Sequence, residues 1–246
     1  MRQNKQNKEN KLIIGASNGW FYSIDIFSLE KQEEVLKNTG ADAVEFNLNW
    51  DKKRFDSLTN QTSGNYKYKS LHLPKFMPPH TVEEIIDIAK KIMQTQQPTT
   101  LILHPTDLSE SDYEKLSKAN LPIAIENMDS AIEEGHNIEQ LKNLIEKYNF
   151  NFMLDVQHAY DHDSSMKYTE ELFNTFKDKI KQLHISGETP TSIHELAYKS
   201  DNKKVIIEFT KKILKIKNIP IIIEGQYKSE TELKNEIDFL KKELSL

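Results

Sequence analysis

The side chains with the most chemistry in this 246-residue chain stand at the ends of short apolar runs. The stretch FMLDVQHAY (152–160) closes one such run on Asp155 and sets His158 three residues later. The pattern recurs. AVEF contains Glu45, SLHL contains His72, TLILH ends at His104, PIAIE ends at Glu126, IKQLHI carries His184, PIIIE ends at Glu224, and His194 follows in the loop after the seventh run. Imidazole and carboxylate are ligands that zinc, manganese and iron accept. Several carboxylates in one confined space cannot all ionise without compensation, and a divalent cation supplies it. Glu126, Asp155, His184 and Glu224 are therefore expected to hold a metal ion. The chain has no cysteine, so disulfides and thiolate ligation are excluded. A lone histidine is more often a hydrogen-bonded core or loop residue, and His80, His136 and His162 are read that way.

The elements that must carry these residues follow from the hydrophobic pattern. Eight apolar runs, at 12–16, 43–46, 70–73, 100–104, 122–126, 152–155, 180–185 and 220–224, read as strands. Several are continuous rather than alternating, as expected of parallel strands covered on both faces. Amphipathic helical patterns lie between them. Ser28–Asn38 closes on Gly40, and Thr81 with Glu84 forms a capping box ahead of VEEIIDIAKKIMQ. Further helices are expected in SESDYEKLSKA, NIEQLKNLIEKY, MKYTEELFNTFKD, KKVIIEFTKKILK and SETELKNEIDFLKKEL, while 51–64 offers only a short one. Strand–helix alternation implies a parallel sheet with right-handed crossovers. Eight units of roughly 30 residues suit a single (β/α)8 TIM barrel, an α/β fold; an open doubly wound sheet is the structural alternative. In a barrel the strand ends converge on one face, so residues distant in sequence share a pocket.

Composition narrows the rest. A formal charge of −5, with Arg2 and Arg54 the only arginines, gives no general electrostatic reason to expect nucleic acid. No apolar run approaches the roughly 18 residues of a membrane span. Residues 1–10, MRQNKQNKEN, read as a polar tail rather than a signal peptide, leaving 11–246 as the barrel domain. A soluble cytoplasmic protein with no membrane partner is expected.

The motifs SLHLP, LILHP, IAIEN, LDVQHAY, QLHIS and IIIEG resemble, in this order, the strand motifs of the xylose isomerase-like TIM-barrel superfamily. That superfamily contains sugar isomerases and epimerases and the family 2 apurinic (AP) endonucleases, endonuclease IV among them. In the isomerase branch the resemblance implies one divalent ion on Glu126, Asp155, His184 and Glu224, with Glu126 and Glu224 also serving as acid and base. In the endonuclease branch it implies three zinc ions. His72, His104 and Glu126 would make the first site. Glu126, bridging, with Asp155, His184 and Glu224 would make the second, and His158 with His194 would belong to the third. The remaining ligand of that branch, an aspartate two residues before His194, is replaced by Ser192. The cofactor implied is zinc or manganese, one to three ions. His158 is expected either as a metal ligand or as a catalytic donor to the substrate. Glu45, Trp20, Trp50, Lys75 and His194 are the expected substrate-binding residues.

The loops weigh against the endonuclease. SNGWFYS after the first strand, LPKFMPPH after His72 and SGETPTSIHELAYKS after His184 lack that family's patterns, and AVEF looks more like the isomerase branch. The sequence therefore favours an isomerase or epimerase acting on a sugar or sugar phosphate. The alternative is an endonuclease IV-like phosphodiesterase acting on abasic DNA or another phosphoester, and a metal-binding barrel without turnover is the third reading.

Overall fold

The eight apolar runs pair side by side as parallel strands in the computed structural model, which describes residues 12–245. The expected tail at 1–10 lies outside the described residues. The strands are β1 (Ile14–Ser17), β2 (Ala43–Asn47), β3 (Tyr68–His72), β4 (Thr100–Leu103), β5 (Ile123–Glu126), β6 (Asn151–Asp155) and β7 (Ile180–Ile185). A short antiparallel hairpin of β8 (Gly187–Thr189) and β9 (Ser192–Glu195) follows, and β10 (Ile221–Ile223) completes the set. The barrel closes because β1 pairs with both β2, at Gly15–Ala43, and β10, at Ile14–Ile221. That closure excludes the open sheet.

The helices run α1 (Leu29–Thr39), α2 (Lys52–Asn60), α3 (Val82–Thr95), α4 (Glu110–Lys118), α5 (Ile138–Tyr148), α6 (Val156–His162), α7 (Lys167–Phe176), α8 (Lys203–Ile216) and α9 (Glu230–Leu244). Their ends follow side-chain chemistry. Ser28 caps α1, which stops at Gly40 in the left-handed region (φ +75°), and Thr81 and Glu84 form the reciprocal capping box of α3. None of the described helices is long and apolar enough to cross a membrane.

Strand alternation divides the molecule into two apolar regions. Leu71, Leu101, Leu103, Ile123, Ile125, Phe152, Leu154, Leu183 and Ile185 join the large core that contains the helix faces. Ile102, Ala124 and Met153 form a separate small cluster, as expected of the opposite, inward face of neighbouring strands. Two residues beyond these three, on the same face, stand His104, Glu126 and Asp155. The inward stack is thus apolar below and polar at the C-terminal mouth.

Candidate metal centre

Parallel strands ending at one level bring the polar residues together from six strand ends. In register, Glu126 pairs with Met153 and Asp155 with His184, while His72 lies opposite Ile102, two residues below His104. Local structure aims individual groups. Asp155 caps α6: its Oδ1 accepts from His158 N at 2.6 Å, which leaves Oδ2 free to face the barrel axis. Asn127 locks the end of β5 to that of β6, accepting from Asp155 N and donating to Asp155 O, both at 2.9 Å.

The ligand-type atoms fall into three overlapping groups: His72, His104 and Glu126; Glu126, Asp155, His184 and Glu224; and His158, His194 and Glu224. Glu126 links the first two. Its Oε2 stands 3.3 Å from His72 Nε2 and 3.0 Å from His104 Nε2, while its Oε1 stands 3.7 Å from His184 Nδ1. His184 Nδ1 also lies 3.2 Å from Glu224 Oε2 and 3.8 Å from Asp155 Oδ2. Ligand atoms about 2.0–2.2 Å from a tetrahedral ion are separated by roughly 3.3–3.6 Å, so these spacings are of the right size.

Hydrogen bonding gives an independent test of fit. Both oxygens of Glu126, Asp155 Oδ2, His184 Nδ1 and Glu224 Oε2 are buried without a hydrogen-bond partner. The histidine approaches to Glu126 are close but not aligned as hydrogen bonds. Buried polar atoms of native proteins are nearly always satisfied, so five orphans around one point fit a cation that takes their lone pairs. The histidine tautomers agree with this. His72 Nδ1 bonds Leu73 O at 3.0 Å, His158 Nδ1 bonds Asn127 O at 2.9 Å, and His184 Nε2 bonds Glu45 Oε2 at 2.9 Å. In each ring one nitrogen is engaged as a donor, and the other is free to ligate.

Electrostatics show the strain of so many charges without a cation. Burial pushes Asp155 up to about 7, against the pull of His158 and with the charges of Glu224 and Glu126 adding to it. Burial would raise Glu126 too, but His104, His184 and His72 hold it well below the usual carboxylate range. Burial opposes protonation of His72 and His158. Glu126 outweighs it at the first, Asp155 and Glu126 at the second, and both rise to about 9. A divalent ion would replace those protons.

The remaining expected residues are placed unevenly. His194, on β9, reaches the third group; its Nδ1 lies 4.0 Å from Glu224 Oε2. Ser192 accepts from His194 N at 3.1 Å, and Glu224 supplies the carboxylate of that group. Trp20 sits at the mouth, its indole N–H donating to Glu224 O at 2.8 Å. Trp50 and Lys75 come together elsewhere. The Trp50 N–H donates to Lys75 O at 2.6 Å, and its ring stacks on His80 at 3.6 Å, on a groove of about 400 Å³ between α2 and α3. None of the metal-group residues lines that groove. Glu45 is fully buried beneath His184.

Three features escaped the sequence reading. The first is α6, too short for a periodic pattern. The second is Asn127, whose role depends on β6. The third is the β8–β9 hairpin that carries His194, where Pro190–Thr191 between two polar strands was the available turn signal. Asn202 anchors this hairpin, accepting from Glu188 N at 3.0 Å and donating to Gln157 at 2.8 Å.

No family model matches the sequence, and no curated protein matches it. Solved structures match over nearly the full length. Endonuclease IV from Thermus thermophilus superposes with a TM-score of 0.68 at 14% identity, covering 94% of this chain and 98% of that one. A xylose isomerase domain-containing protein from Salmonella typhimurium gives 0.64 at 15%, covering 96% and 98%. A D-tagatose 3-epimerase-like protein gives 0.62 at 17%, covering 95% and 100%. At these identities the likeness is one of fold: the chain has the xylose isomerase-like TIM-barrel fold.

Proposed function

We propose that this xylose isomerase-like barrel is a divalent-metal-dependent enzyme that hydrolyses a phosphoester at a multinuclear centre. The observation that carries this reading is the double engagement of Glu126. One oxygen faces His72 and His104, and the other faces the Asp155, His184 and Glu224 group. A carboxylate shared in this way suits two adjacent ions, and binding both through its oxygens would make it a weak base toward a carbon-bound proton. Glu224 is shared likewise between the second and third groups. Zinc or manganese suits an all-imidazole and carboxylate set.

Ions held there supply an acidified water and positive charge for the phosphoryl oxygens. The chain's own residues do the rest. Asp155, Glu126 and His184 are fully buried and exclude bulk water from the floor of the site. His104, Glu224 and His194 retain side-chain exposures of 21%, 16% and 24%, and so form its opening toward substrate. His158 and His194 stand at the outer group, where their N–H groups can meet a phosphate oxygen when no ion occupies it.

The test is metal content per chain together with hydrolysis of an abasic-site duplex and of bis(p-nitrophenyl) phosphate. Two or more ions are expected, with diesterase activity that falls by about 10²-fold or more in Glu126→Gln, which removes the shared ligand. A single ion with no phosphoester cleavage would overturn the reading.

The sugar isomerase or epimerase is the second reading, favoured by the complete inner quartet and by Trp20 against the Glu224 backbone. In it Glu224, at the mouth, would move the carbon-bound proton while the ion polarises the neighbouring carbonyl. Incorporation of solvent deuterium into a sugar or sugar phosphate would select it.

A further inference from the structure

We infer that Glu45 is a positioning residue: it fixes the His184 ring with the proton on Nε2 and the Nδ1 lone pair aimed into the inner metal group, and it does not touch substrate. The inference rests on the reading that Glu126, Asp155, His184 and Glu224 hold an ion. Glu45 lies on β2, paired in register with Ser70, two residues below His72. It has no exposed surface. From there it crosses the barrel interior to β7, which is separated from β2 by β1 and β10. One oxygen, Oε2, accepts from Gln182 Nε2 at 2.6 Å, His184 Nε2 at 2.9 Å and Ser70 Oγ at 3.2 Å.

The consequence is chemical. An ionised carboxylate can only accept, so the imidazole nitrogen facing it must carry hydrogen. A neutral imidazole has one N–H, which leaves Nδ1 bare, 3.2 Å from Glu224 Oε2, 3.7 Å from Glu126 Oε1 and 3.8 Å from Asp155 Oδ2. Gln182 and Ser70 donate to the same oxygen and hold it against rotation. For His72 and His158 a backbone carbonyl does the equivalent work. His184 is oriented by a carboxylate instead, which also makes the ring a stronger ligand.

The experiment uses the full chain with zinc as the probe. Zinc affinity and occupancy are measured by competition with a chromophoric chelator for the wild type, Glu45→Gln and Glu45→Leu. Proton and nitrogen NMR of the zinc-loaded, 15N-histidine-labelled proteins reports the His184 Nε2–H. Glu45→Gln keeps the shape and an acceptor but loses the charge; Glu45→Leu loses both. The expected result is a drop in affinity of about 10-fold for Glu45→Gln and toward 100-fold for Glu45→Leu. An upfield move of the Nε2–H signal should accompany it, with the ion-free melting temperature of Glu45→Gln kept within a few degrees. Should Glu45→Leu fail to fold, Glu45→Gln decides. Zinc affinity unchanged in Glu45→Gln, or lowered with the Nε2–H signal unmoved, overturns the proposal while the metalloenzyme reading stands. A wild-type protein that takes up no zinc overturns both.

Discussion

At the proposed metal centre protons and a metal ion would compete for the same atoms, and the histidines set the terms. Glu126 holds His72 at about 9 against burial, and Asp155 with Glu126 does the same for His158. Both values are raised above the unfolded 6.5. Their contribution to the ion-free fold is therefore complete below about pH 6.5 and lost as pH rises through 9. A metal ion needs the rings neutral, so it gains over the same window. Zinc affinity should rise by up to about tenfold per pH unit for each of these two histidines until about pH 9. Titration calorimetry at pH 7.5 in buffers of different ionisation enthalpy should show more than one proton released per chain. Affinity independent of pH would mean that neither ring is a ligand. The sequence displays most of the ligand-type residues because His72, His104, Glu126, Asp155, His184 and Glu224 stand in or at the end of apolar runs. It hides their orienting partners, since Glu45 and His184 are 139 residues apart and meet only across the closed barrel.

Six barrel-strand ends supply the inner ligand-type groups, and the loops that follow them hold the outer ones. The hairpin carrying His194 is clamped by the loop that follows β10, where Gln226 N donates to His194 O at 2.8 Å. Beside it Gly225 admits a close approach: a Cβ there would lie 2.7 Å from Glu195 O and 2.9 Å from Leu196 Cα. Gly225→Ala must displace that backbone, because neither contact is a flexible side-chain end. A loss of about 1–3 kcal/mol in denaturant unfolding is expected, with one ion fewer per chain while the inner quartet stays loaded. Full occupancy in Gly225→Ala would detach the hairpin from metal binding. Short, often continuous apolar runs and helix caps made the eight barrel strands and most helices readable. The hairpin and α6 were not: GET and SIHE are polar and form no apolar run, and a seven-residue helix is too short for its period to register. Trp50 and Lys75 each lie just beyond a strand end, yet Trp50 lines the groove between α2 and α3 and bonds the Lys75 carbonyl there, away from the ligand-type groups.

For the molecule as a whole, the acidic floor links ion binding to folding. Binding at 100 to 1,000 times the dissociation constant contributes about 2.7 to 4.1 kcal/mol. For a chain of this size that is a rise of very roughly 5–15 °C in melting temperature. Differential scanning calorimetry with zinc and then with excess chelator should show the rise and its reversal. A melting temperature indifferent to both would argue that the buried acids are satisfied by protons alone.

The small opening formed by His104, Glu224 and His194 also bears on time. The fully buried Asp155 and His184 lie behind residues that themselves belong to the outer ligand-type groups. An ion held by the inner group would face the opening across the positions that the outer groups offer to further ions. Under the multinuclear reading, outer ions would act as a stopper: loading would run from the floor upward and release from the rim downward. The residence of an inner ion would then be set less by its own affinity than by how often the rim stood vacant.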